Sequence, residues 1–149
     1  MKPEATPERI MAFRAATGLP VLQAKEFMAS HSTDLVDRIL KAAAARIHLP
    51  DVNALATVTP DLLDRIFHAA EMRKRSRFLT DPIEEDPDVG PTVRRVLDET
   101  TEVVTREAEG QRRLGLCHRV WGLTKERLSR EHGITWYSPS EMNPGSCFD

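Results

Sequence analysis

The chain has 149 residues, 40% apolar and 30% charged, with a net charge of -2. This balance excludes a disordered chain, and a chain of this length buries roughly two thirds of its unfolded surface without needing a metal or a disulfide to fold. A near-neutral, faintly acidic protein has no global field to draw it to nucleic acid or to an anionic membrane, so neither is expected as a partner.

Thr6-Pro7-Glu8 reads as a helix start: a capping hydroxyl, proline at the first helical position, and a carboxylate in the first turn. Ile10, Met11, Phe13 and Arg14 follow, and Thr17-Gly18 ends the segment. Pro20 opens a second helix, with Val21, Ala24, Phe27 and Met28 at helical spacing. Ser32-Thr33-Asp34 starts a third, striped by Leu35, Ile39, Leu40 and Ala43, and His48-Leu49-Pro50 stops it. Thr59-Pro60-Asp61 repeats the first start signal ahead of Leu62, Leu63, Ile66, Phe67 and Ala70. The basic run RKRSR at residues 73–77 reads as the solvated last turn of that helix.

The stretch DPIEEDPDVGP, residues 81–91, holds three prolines, a glycine and five acidic side chains. It reads as a solvated linker without regular structure. Beyond it a seam steps by three and four through Val93, Val96, Thr100 and Val103, past polar Glu107 and Gly110, into Leu114, Cys117, Trp121, Thr124 and Leu128, with a break or kink expected at Gly110. Gly133 ends the helix, and Ile134 is placed for the hydrophobic contact that follows a glycine cap. Strand signals are almost absent. The expected fold is therefore all-α: a three-helix unit at 1–47, an additional helix at 48–79, an acidic linker at 80–90, and a helical part at 91–149 with an ordered non-helical tail.

Residues 14–40, RAATGLPVLQAKEFMASHSTDLVDRIL, resemble the amino-terminal three-helix module of elongation factor Ts, a ubiquitin-associated-like fold, with Arg14, Thr17-Gly18, Lys25 and Asp34 at matching spacing. The first half of the stretch is also similar to the carboxyl domain of the ribosomal stalk protein, but that domain would continue into strands, whereas a third helix follows here. The resemblance implies a compact unit with a small apolar surface, centred on Gly18-Leu19 and the end of helix three, of the kind that binds other proteins in that superfamily. It covers about a quarter of the chain and brings no counterpart of the nucleotide-displacing core domains. The ending, from Leu116 onward, resembles endings of short bacterial proteins.

Candidate chemistry is sparse. Cys117-His118 would be a nucleophile and a base, but adjacent helical residues point about 100° apart. Cys117 also sits in the apolar seam, where a free cysteine behaves as a small hydrophobe. Cys117, His118, Cys147 and a carboxylate such as Glu141 or Asp149 could ligate zinc, yet the usual ligand pairs two to four residues apart are missing. The acidic stretch does not fit the calcium-binding loop of the EF-hand, and no phosphate-cradling glycine loop is present. No cofactor is expected. Two cysteines are too few for a disulfide framework, no apolar run approaches the roughly 20 residues that span a bilayer, and residues 1–13 lack a secretory apolar stretch, so a cytoplasmic location is expected.

The tail, GITWYSPSEMNPGSCFD, is unusually aromatic for a chain end. Asn143-Pro144-Gly145 reads as a defined turn. Trp136, Tyr137 and Phe148 either cover the seam near Trp121 and Leu128 or anchor a partner, the role in which such residues are enriched at interfaces. The seam at 93–128 packs within the chain or, alternatively, joins two copies as a homodimer. The function these features favour is a non-catalytic helical module or adaptor, of bacterial type, that binds another protein through Gly18, Leu19, Trp136, Tyr137 and Phe148. An immunity-type inhibitor of a toxin is one version of it. The rival is a small enzyme using Cys117 or a carboxyl-terminal metal site.

Overall fold

Capping chemistry sets the helix boundaries. In the computed structural model, which describes residues 5–72, 78–110 and 115–148, Thr6 Oγ1 accepts from Arg9 N and Ser32 Oγ accepts from Leu35 N, both at 3.2 Å. These hydroxyls satisfy amides that the first helical turn leaves without an internal partner. The described residues form α1 (Pro7–Thr17), α2 (Val21–Ser30), α3 (Thr33–Ala44), α4 (Val52–Leu55), α5 (Pro60–Met72), α6 (Gly90–Glu107), α7 (Leu116–His132) and α8 (Pro139–Met142), with a 3-10 turn at Pro82–Glu85 and no strand among them. The protein is all-α. No helix of the described residues is long and apolar enough to cross a membrane.

The chain divides into two compact units, Met1–Val58 and Thr59–Asp149. The division thus falls just before α5, where the sequence pattern had placed it in the acidic stretch; α5 belongs with the helices that follow. In the first unit α1 packs on α2 and α3. Phe13, Ala24, Phe27, Leu35, Val36 and Ile39 fill its core, with the rings of Phe13 and Phe27 5.2 Å apart. α1 ends at Gly18, whose φ of 75° directs its amide to Arg14 O at 2.7 Å. α3 ends earlier than its proline signal implies, because Arg46 turns the chain at a φ of 58° and ahead of Pro50. The short helix α4, capped by Asp51 Oδ1 on Asn53 N at 2.8 Å, breaks the single helix expected across 48–79.

In the second unit α6 and α7 form a hairpin. The expected break near Gly110 is real: α6 stops at Glu107, Gly110 has a φ of 80°, and α7 begins at Leu116. Val93, Val96, Thr100 and Val104 of α6 are buried, as are Val120, Thr124 and Leu128 of α7. Val104, not Val103, continues the seam: an undistorted helix favours the step of four after Thr100, and Val103 is left exposed. The hydroxyls of Thr100 and Thr124 bond each other across the hairpin. The seam is filled from within the same chain. Leu114 and the basic run at 73–77 lie outside the described residues.

The acidic stretch is folded, a correction to its reading as a solvated linker. Asp81 is wholly buried; its Oδ1 caps the 3-10 turn through Ile83 N at 3.1 Å, and its Oδ2 pairs with Arg65 Nη1 at 2.7 Å. Asp86 Oδ1 accepts from Asp88 N and Val89 N just ahead of α6. Carboxylates that satisfy their own backbone are local structure makers, which a charge count does not register. The tail is ordered, but not wholly non-helical: α8 is one turn, held by a capping box between Ser138 and Glu141.

Candidate functional site

The surface on which the sequence places Gly18 and Leu19 is a built turn. Thr17 Oγ1 donates to Phe13 O at 2.8 Å and accepts from Leu19 N at 3.3 Å. Arg14 Nε donates to Leu19 O at 3.2 Å, while its Nη1 reaches Met11 Sδ at 3.8 Å. The turn is therefore fixed by side chains of α1 and does not depend on a partner for its shape. Gly18 is exposed, Leu19 is half-buried, and Met11, Val21 and Leu22 expose 57%, 41% and 68% of their surface. Single exposed apolar side chains are common on protein surfaces; here three of them fall within α1 and the start of α2.

Beside the turn lies an open groove of about 620 Å³. Its walls come from the last turn of α1 with Leu19, from Ile39 and Ala43 of α3, from the segment between α3 and α4, and from Val52 and Asn53 at the start of α4. The charged and titratable groups of the lining are Arg46, His48 and Asp51; its lining contains no cysteine or serine, and its one hydroxyl, Thr17, is already bonded to the backbone. The arrangement is suited to holding a ligand and offers no nucleophile with a base beside it.

Arg46 is the feature that sequence reasoning missed. Arg46 N donates to Ala43 O at 3.0 Å and Ile47 N to Ala42 O at 2.9 Å, the double bond pattern of a Schellman cap. That cap needs a left-handed residue, which costs a side-chain-bearing residue roughly 1–2 kcal/mol relative to glycine. The charge of Arg46 at the negative end of α3 returns about 0.3–1 kcal/mol. No pattern in the sequence marks a helix end whose left-handed residue is not glycine or asparagine.

The carboxyl-terminal candidates stand elsewhere, in the second unit. Trp136 is buried to 1% exposure, packed with Val93, Val96 and Leu128, and its Nε1 donates to Glu84 Oε2 at 3.2 Å. A residue so enclosed offers no anchor to a partner, which corrects that reading for Trp136. Tyr137 is half-buried; its hydroxyl donates to Asp61 Oδ2 at 2.6 Å, and its ring carries Arg65 and Lys125 at 4.9 and 4.7 Å from its centroid. Asp61 holds the phenol proton, so the Tyr137 pKa lies above its ordinary value. Phe148 is half-buried against Phe78 and Trp121.

Cys117 is half-buried on α7 and unbridged, as is the exposed Cys147. The neighbouring His118 points to the tail: its Nε2 lies 2.8 Å from Phe148 O, and its ring meets Trp121 edge-on. The imidazole thus serves as a latch on the tail. Among the described residues no group of three or more His, Cys, Asp or Glu side chains is placed to hold a metal ion. Comparison with family models, with curated proteins and with solved structures gives no match.

Proposed function

We propose that this protein is a non-catalytic helical module that binds another protein through the surface at the turn between α1 and α2. The observation that carries this reading is the exposure of Met11, Val21 and Leu22 around a turn already rigid in the free chain. A pre-ordered apolar surface loses little conformational entropy when a partner covers it, which favours affinity per contact. The resemblance of residues 14–40 to the three-helix module of elongation factor Ts supports the same surface, because such modules bind proteins by that turn and the end of their third helix.

A photo-crosslinking phenylalanine analogue at Leu22 tests the proposal in a lysate of the source organism. The expected result is one dominant cross-linked protein, lost when Met11→Asp is added and absent when the analogue sits at the exposed Glu109. Equal, diffuse labelling from both positions would remove the basis for a binding role.

A further inference from the structure

We propose that the groove beside this turn takes a carboxylate side chain of an acidic protein segment, with Arg46 as its anchoring cation and apolar neighbours of that carboxylate seated against the apolar side chains of the lining. The inference rests on the protein-binding reading above and names the chemistry of the partner segment.

Arg46 alone among the described non-glycine residues has a positive φ. α1 and α7 give the corresponding left-handed position to Gly18 and Gly133. What arginine adds over glycine at such a position is its side chain. A helix-end charge is already present in α3 as Lys41, so the guanidinium is not needed merely to face the helix terminus. It lines the groove, is exposed, and takes part in no ion pair among the described residues. The planar fork of a guanidinium matches a carboxylate with two parallel hydrogen bonds, a geometry an ammonium cannot copy.

The rest of the lining agrees. His48, exposed in the same lining, supplies a further N–H donor. The one carboxylate of the lining, Asp51, is turned to the start of α4, where its Oδ1 accepts from Asn53 N; its negative charge stays in the lining, so Arg46 and not Asp51 selects the incoming carboxylate. Ala16, Leu19, Ala43 and Ile47 contribute apolar surface to the lining, in about equal measure with its polar groups. A volume of about 620 Å³ lies in the range of sites that enclose a few side chains. A guanidinium set among mixed polar and apolar lining complements a segment in which acidic and aliphatic residues alternate.

The test is an amide-resolved NMR titration of the full chain with two capped pentapeptides, one alternating leucine and glutamate, the other alternating leucine and lysine. The proposal expects the glutamate peptide to shift the amides of residues 16–19 and 43–53, and to bind about tenfold tighter than the lysine peptide. Arg46→Gly is expected to lose about tenfold in affinity with a melting temperature equal to or above that of the parent, since glycine suits the left-handed position. Arg46→Lys keeps the charge and is expected to lose several-fold. Equal binding of the two peptides, or unchanged affinity in both variants, overturns the proposal. If the Leu22 cross-link survives while the glutamate peptide leaves the groove amides unmoved, the carboxylate assignment falls and the protein-binding reading stands. If the peptide binds as expected while the Leu22 cross-link is absent, the groove's chemistry holds and the wider apolar surface is not the binding face.

Discussion

Arg65 Nη1 stands 2.7 Å from Asp81 Oδ2, joining a half-buried guanidinium on α5 to a carboxylate with no exposed surface. Arg65 Nη1 also donates to Thr135 O at 2.7 Å, and Asp81 Oδ2 accepts from Tyr137 N at 2.8 Å. One ion pair therefore fastens α5, the 3-10 turn and the start of the tail. A buried pair adds little net stability against a well-packed apolar substitute, but removing one partner strands the other. Asp81→Ala is expected to cost about 3 kcal/mol, at the low end of the range for broken buried pairs because Arg65 retains 22% side-chain exposure. Urea unfolding followed by circular dichroism measures it. A change within about 0.5 kcal/mol would mean that water replaces the carboxylate without loss.

Gly90, at the start of α6, sits close against the backbone of the 3-10 turn. A Cβ there would lie 2.6 Å from Glu84 O, a backbone atom that cannot swing aside. Gly90→Ala is expected to destabilise the second unit by about 1–3 kcal/mol, although alanine is the better helix former. The same packing predicts that limited proteolysis spares the bonds between residues 81 and 90. Thermal unfolding and mass mapping of the first cuts check the two expectations separately.

Gly18 tests backbone conformation without sterics, because nothing lies within 4 Å of a Cβ built on it. Its φ of 75° disfavours a β-branched side chain. Gly18→Val is expected to lower the stability of the first unit by about 1–3 kcal/mol, and Gly18→Ala by less. Hydrogen exchange resolves the effect by unit: protection should fall in α1 to α3 and persist in α6 and α7.

Burial lifts the Glu84 carboxyl above its ordinary value of 4.5; the neighbouring carboxylates of Asp81 and Glu85 add to the rise, and the Trp136 N–H opposes it. Just above pH 4.5 the folded chain then holds more of this proton than the unfolded chain, so stability falls as pH rises through that window. Glu84→Gln keeps an acceptor for Trp136 and removes the titration. Its stability relative to the parent should climb as pH rises above 4.5 and then level off. Denaturant midpoints at a series of pH values give the comparison, and parallel profiles for the two proteins would count against it.

The tail can be read by fluorescence. Trp121 is half-buried and packs edge-on against Phe148 with ring centroids 5.3 Å apart, while Trp136 is enclosed. In a Trp136→Phe background, ending the chain after Gly145 should move Trp121 emission to the red without unfolding the hairpin. Trp136→Ala should be far more damaging, at about 3–5 kcal/mol, because it empties a site between Val93, Val96 and Leu128. Trp121 emission indifferent to the truncation would show that the His118–Phe148 latch is open in solution.

The helix starts at Thr6, Ser32 and Thr59 and the stops at Gly18 and Gly133 were legible in the sequence because each is closed within a few residues: a hydroxyl meets an amide three positions on, and a glycine adopts a left-handed turn where it stands. The contact of Ile134 with the core around Leu128 follows from the Gly133 cap for the same reason. The fate of the acidic stretch was not legible. Asp81 is buried because Arg65, 16 residues before it, and Tyr137 N, 56 residues after it, converge on one carboxylate, and no local pattern carries that convergence. Trp136 could be recognised as unusual, but only the packing of α6 against α7 decided that it turns inward. The groove depended on still less local information, since its walls come from three helices and the segments between them, and its arginine occupies a backbone conformation that side-chain identity argues against. Short-range hydrogen bonding is written in adjacent letters; desolvation, close backbone approach and the choice of which side chain stays exposed are settled only when distant segments exclude water together.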